Sequence, residues 1–438
     1  MYKYLRGGLV IDKPQNILIE NDLIKEISYE DISVLPEDTE IIDCKGLVIL
    51  PGIIDVHVHF REPGNTEKAD MNSESLAALA GGVTTILDMP NNSPTITTIK
   101  AFNEKLLLGK KNMHCNYGFY FGVTNSNIDD CLKIDNSICA GLKLFLGSST
   151  GNMLVDNRQS IEYLFQNAKK IISAHCEDES LIKENKVKYL SIEPLPYNIH
   201  SLIRNADVCY NSSSYAVSLA KKYHTNFHIA HITTEKEINL LSDDRLENKF
   251  ITSEVSPNHL FFSEEDYKEY GNLIKCNPSI KTAKDKKSLR KALKEGFIDI
   301  VATDHAPHLK QEKLKQYSAA PSGIPSIQFS LLMMLQIAKE ENWDLRLISE
   351  KMSTNPAKRF HIAKRGKIKK GYFADLVIID LNKKTIVNKE NILYKCNWSP
   401  LEGKTFDSKI VMTFLNGEKV YQNNLINNEA KGDKLYFS

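Results

Sequence analysis

A chain of 438 residues, 42% hydrophobic and 25% charged, has material for one large core or two ordinary ones. Lys and Arg total 56 against 55 for Asp and Glu, and with no basic stripe or acidic tail, nucleic acid and membrane surfaces are poor partners. The N-terminal apolar stretch is too short for a signal peptide, and no run of about 18 apolar residues occurs. The 8 cysteines, without a CxxC pair, suit free core thiols in a reducing cytoplasm.

In chain order, residues 1–47 carry short alternating β patterns (YKYLRGGLVID, NILIENDLIKEIS, EIIDCKGLVIL), and residues 366–438 do so again. These ends predict one small β-sandwich domain formed by the N- and C-terminal segments, flanking a catalytic domain over 48–365. Within that domain, apolar strand-like runs recur at 48–60, 81–91, 116–123, 141–149, 170–178, 226–234, 248–257 and 299–308. Helical patterns fall between them at 66–80, 96–108, 161–169, 205–222, 235–241 and 284–294. Strands alternating with helices in this number predict an α/β fold, a (β/α)8 TIM barrel. An open doubly wound sheet is the rival, but its Gly-rich first turn is absent.

The run Val48–Phe60 ends in Asp55-x-His57-x-His59, with Arg61 two residues on. Residues two apart on a strand share a face, so these four side chains are expected on one side of the strand. Two imidazoles so placed can grip a divalent metal, and a guanidinium beside them can hold an anion. Alone, such a pair is as ordinary as two histidines in a loop. However, polar residues recur at the C-terminal ends of other strands, where barrel chemistry is found. They are Asn91 after strand 2, Lys143 in strand 4, His175 after strand 5, His231 after strand 6, and Asp304 and His308 after strand 8. Four histidines and an aspartate suffice for two metal ions. Asp55 reads as support for them.

Lys143, flanked by Leu142 and Leu144, is costly to bury as a bare ammonium. Either it reaches an acid at the strand end, or nearby dications favour its neutral amine, which can take up carbon dioxide as a carbamate. His259 and Glu254 read as supports of the ligands or as structural groups rather than as ligands, and His114, His200, His224, His228 and His361 have no partners suggested by spacing. Trp398 reads as an anchor of the β end, and residues 309–323 as a polar mobile loop that closes over substrate.

The ordered motifs DVHVHFREPG, GGVTTILDMPN, GLKLFLGSSTGNM, AHCE, AHITT, TSEVSPNHL, CNPSIK and ATDHAPH resemble the cyclic amidohydrolases of the amidohydrolase superfamily, most closely the dihydroorotase family. The resemblance implies that His57, His59 and Asp304 bind the more buried of two divalent ions, zinc suiting the ligand types, although cobalt or manganese would serve. His175 and His231 would bind the second ion, and carbamylated Lys143 would bridge the two together with a hydroxide. Asp304 would also be the catalytic acid and base. Arg61, Asn91 and His308 would clamp a substrate carboxylate, with Asn277 at the ring's polar edge.

The implied reaction is the reversible cyclisation of N-carbamoyl-L-aspartate to dihydroorotate in pyrimidine biosynthesis, with a small molecule as substrate. Some family members supply the bridging carboxylate from an Asp-Asp-Gly turn after this strand. Here the stretch reads Gly147-Ser148-Ser149-Thr150-Gly151, without an acid. Allantoinase-like relatives keep the His-x-His and Glu-Pro-Gly but usually lack the arginine; hydantoinases usually lack both, so the Arg61–Gly64 string favours dihydroorotase. A catalytically silent partner of aspartate transcarbamoylase is a further alternative, but such scaffolds lose metal ligands and this chain keeps them. Homodimer formation and association with aspartate transcarbamoylase stay open.

Overall fold

The computed structural model describes residues 1–147 and 153–437. Eight parallel strands form its centre: Ile53–Val58, Val83–Asp88, Asn116–Gly122, Cys139–Phe145, Ile172–His175, Phe227–Ile229, Ile251–Val255 and Ile300–Val301. They pair in sequence order, and a parallel bridge between Val58 and His305 joins the extension of the last strand to the first. There the His59 N–H donates to the His305 carbonyl at 2.8 Å. Each apolar run of the sequence meets one of these strands, Cys139–Phe145 starting two residues ahead of its run, and the strands are almost wholly buried, as parallel strands covered by helices must be. Residues 148–151, part of the acid-free turn, lie outside the described residues.

Capping side chains set the helix starts. Helix Met71–Ala80 begins later than its sequence pattern because the Asp70 carboxylate accepts from the Ser73 N–H at 2.7 Å. Asn205 and Thr282 cap Ala206–Tyr223 and Ala283–Glu295 in the same way. Two helices had no visible period. Ser330–Glu340 buries Leu331, Leu332, Met333, Met334, Leu335, Ile337 and Ala338, nearly all round, so no polar stripe marks it. Glu179–Tyr189 buries only Ile182 and therefore lacks an apolar one.

Both termini build a second, nine-stranded sheet. At its middle, Val48–Pro51 pairs antiparallel with Leu376–Asp380, and parallel with the long first strand Tyr2–Val10. Leu5, Ile17, Ile19, Ile49, Leu376, Ile378 and Phe414 pack into the core of this sheet. The expected single strand 48–60 is thus two strands in two sheets, divided at Gly52. A Cβ there would lie 2.2 Å from Thr84 Oγ1, so only glycine lets the chain pass between the sheets. All eight cysteines are buried free thiols.

Candidate active site

Strand Ile53–Val58 delivers the first ligands, and its neighbours fix their orientation. The Asp55 carboxylate accepts from the His57 N–H at 3.2 Å, the Thr303 N–H at 3.1 Å and the Thr303 hydroxyl at 2.6 Å. It therefore stitches the first strand to the last immediately before Asp304. His57 Nδ1 bonds Glu254, and His59 Nδ1 lies 2.7 Å from Asn91 Oδ1. Both rings consequently turn Nε2 towards Asp304 Oδ1, at 3.4 Å and 3.0 Å. Ligand atoms of His57, His59 and Asp304 all lie within 4.8 Å of one another, the geometry of a metal-binding cluster. Burial opposes ionisation of Asp304, yet His57 and His59 hold its carboxyl below the usual range. Burial likewise pushes His59 down to about 4, which leaves a neutral imidazole able to ligate.

His175 and His231 make a second pair beside the first. Their nitrogens Nδ1 and Nε2 face each other at 2.9 Å, and the His231 ring centroid is 5.3 Å from that of His57. His175 Nε2 bonds Glu177 Oε2 at 2.9 Å, and Glu177 also pairs with Arg204. Burial would raise the Glu177 pKa, but Arg204 and His175 prevail and hold it at about 2. Lys143 sits among these groups, fully buried, 5.2 Å from the Phe145 ring centroid. Its Nζ has no hydrogen-bond partner among the described residues, and neither has His231 Nδ1. Burial outweighs Glu254 and Asp304 and brings the lysine down to about 8, so the neutral amine is accessible.

The remaining candidates share the same cleft of about 420 Å³, which Arg61, Asn91, Asn277 and His308 line together with the histidines, Lys143 and Asp304. The expected strand face ends early, because Arg61 lies beyond the strand at φ 65° and is aimed by its loop. Arg61 Nε donates to the Pro307 carbonyl at 3.2 Å, and its Nη2 lies 3.2 Å from His308 Nε2. Burial first, then Arg61, Lys313 and Lys68, push the His308 imidazole far below its usual range and keep it neutral. Asn277 Oδ1 is buried without a partner among the described residues. His231 at φ 37° and Asp304 at φ 49° share with Arg61 the left-handed backbone, strain of the kind that active sites store.

Several groups make contacts that the sequence did not show. Glu254 is a hub, accepting from His57, from His228 Nε2 at 3.1 Å and from the His231 N–H at 3.3 Å. An acid ending an apolar strand was its one signal. Arg204 lines the cleft without any local motif to mark it. Trp398 does more than anchor the β end, since its indole donates to the His308 carbonyl at 2.7 Å. Residues 309–323 are tied down rather than loose: buried Lys313 donates to the carbonyls of Lys275, Pro321 and Gly323 at 2.8 to 2.9 Å. Replacing Glu254 with Gln, which cannot accept from both imidazoles as an anion does, is expected to weaken metal affinity about 10- to 100-fold, measured by metal titration of the stripped protein.

The Amidohydrolase family pattern matches residues 48–420. The chain belongs to the amidohydrolase family. This amidohydrolase is 34% identical over 427 residues to the dihydroorotase of Methanosphaera stadtmanae, covering 96% of each chain. It is 33% identical over 435 residues to that of Aquifex aeolicus, covering 95% of this chain and 99% of the relative. Its fold superposes on L-hydantoinase (dihydropyrimidinase) from Arthrobacter aurescens with a TM-score of 0.92, at 24% identity and 98% coverage of each chain. Family membership implies a hydrolase with a divalent metal centre, and the cluster fits one. It offers imidazoles, a carboxylate and an orphaned lysine nitrogen in one polar cleft. No helix among the described residues is long and apolar enough to cross a membrane.

Proposed function

We propose that this amidohydrolase is a dihydroorotase, interconverting N-carbamoyl-L-aspartate and dihydroorotate. The observation that carries the reading is Arg61, a guanidinium lining the same cleft as the His57–His59–Asp304 cluster. A metal cluster alone suits any cyclic amide. A forked cation beside it suits a ring that bears a carboxylate. The dihydroorotase relatives agree with that choice.

In this reading His57, His59 and Asp304 would hold one divalent ion, and His175 and His231 another. Lys143, as a carbamate, would be a further ligand, and zinc would suit the imidazole and carboxylate ligands. Bound metals supply Lewis acidity and acidify water. Arg61, Asn91 and His308 hold the substrate carboxylate and Asn277 the ring's polar edge, which places the scissile amide over the cluster. Asp304 Oδ2, the oxygen its short contacts with the histidines leave over, takes the proton of the attacking water. It passes that proton to the ring nitrogen as the amide C–N bond breaks. Ring closure runs through the same groups in reverse.

The test is a substrate panel on purified protein together with its metal content. Dihydroorotate and N-carbamoyl-L-aspartate should interconvert, hydantoin and allantoin should not react, and metal should approach two ions per chain. Chelation should abolish turnover and zinc restore it. Equal activity on rings lacking the carboxylate would overturn the assignment.

A further inference from the structure

Behind the wall that carries Arg61 lies a buried ammonium that the proposed reaction does not use. Helix Ile99–Asn112 turns Phe102, Lys105 and Gly109 to the core, so a lysine stands where an apolar residue belongs. Lys105 is fully buried. Its Nζ donates to the Met89 carbonyl at 2.8 Å and to Asn92 Oδ1 at 2.9 Å, and lies 4.7 Å from the Phe119 ring centroid. Asp88 Oδ2 is 2.6 Å away, an ion pair without hydrogen-bond alignment.

Two of these partners reach across to the neighbouring loop. Asp88 Oδ1 accepts from the Phe60 N–H at 2.8 Å, and Asn92 Nδ2 donates to the Glu62 carbonyl at 3.0 Å. Phe60 and Glu62 are the residues on either side of Arg61, whose φ of 65° is unfavourable for a side chain of its size. Such a conformation persists only where its surroundings over-determine it. Lys105 also grips Met89 and Asn92, which bracket Asn91, the residue that orients His59. One ammonium thus ties together the backbone of Arg61 and that of Asn91.

We propose that Lys105 is a positioning residue for substrate-carboxylate recognition: through Asp88 and Asn92 it holds Arg61 in its left-handed conformation at the cleft wall. The proposal rests on the dihydroorotase reading. A residue that served the fold alone would change stability and the active fraction, and leave the KM of the folded enzyme unchanged.

Three variants test it, each assayed with dihydroorotate and checked for its unfolding midpoint. Lys105→Met keeps the length and removes the charge. Lys105→Met with Asp88→Asn removes the carboxylate left uncompensated, so the fold survives if the single variant does not. Asn92→Ala cuts the tie from Lys105 to Glu62 at both of its hydrogen bonds and leaves the Asp88 pair in place. The first two are expected to raise KM about tenfold or more with kcat held within about threefold, and Asn92→Ala to raise KM about threefold. An unchanged KM in a folded double variant and in Asn92→Ala, with wild-type turnover intact, would overturn the role of Lys105 alone. Absence of wild-type turnover of dihydroorotate would overturn the dihydroorotase reading and this proposal with it.

Discussion

Replacing Lys143 with alanine is expected to lower kcat/KM for dihydroorotate by roughly a thousandfold, the equivalent of about 4 kcal/mol of transition-state stabilisation. The reason lies in how differently this chain treats its buried lysines. Lys105, Lys249, Lys275, Lys313 and Lys351 are buried as well, and each donates to carbonyl or carboxylate oxygens. Lys143 Nζ alone in that company has no partner among the described residues. An ammonium left so would be costly, and burial already draws it down to about 8. As a neutral amine it can add to carbon dioxide and release a proton, and the carbamate so proposed would offer two oxygens in the cleft that the imidazoles and Asp304 line. Alanine removes those oxygens without leaving any protein donor or acceptor unsatisfied, so the fold should persist. Bound metal should fall below two per chain, and short carboxylic acids should restore part of the rate. Full activity in the alanine variant would remove the carbamate from the mechanism.

The barrel was legible because its signals are periodic and local. Apolar runs alternate with helical patterns, and each run supplies one barrel strand. The ligand histidines were legible for a related reason: His57, His59, His175 and His231 lie towards the C-terminal ends of such runs, so topology alone gathers them at one end. What escaped depends on contacts between distant segments. Glu254 matters because residues from strands one and six, His57 and His228, converge on it, and nothing in TSEVSP announces that. Trp398 bonds His308 from 90 residues away. The sequence 309–323 is polar, which reads as a mobile loop, yet Lys313 donates to the loop carbonyls of Pro321 and Gly323 and to that of Lys275 outside it. A period of two likewise cannot foresee Gly52, where close approach to Thr84 divides one apolar run between two sheets.

Replacing Arg61 with methionine is expected to raise KM for dihydroorotate about 100-fold, while stability changes little. Among the described residues no carboxylate lies within ion-pair distance of this guanidinium, whose close partners are the Pro307 carbonyl and the neutral His308 ring. A cation kept without a counter-charge beside a metal cluster is matched to an anion that arrives with the substrate. A forked pair of charge-assisted hydrogen bonds contributes about 3 kcal/mol, which sets the expected factor. Lysine should recover little of it, because a point charge lacks the fork and cannot span Pro307 and the carboxylate together. Hydantoin, which lacks the carboxylate, supplies the control: if Arg61 reads that group, the methionine variant loses activity on dihydroorotate and gains none on hydantoin. An unchanged KM would mean that the carboxylate is held elsewhere, with Arg204, the other guanidinium lining the cleft, as the next residue to replace.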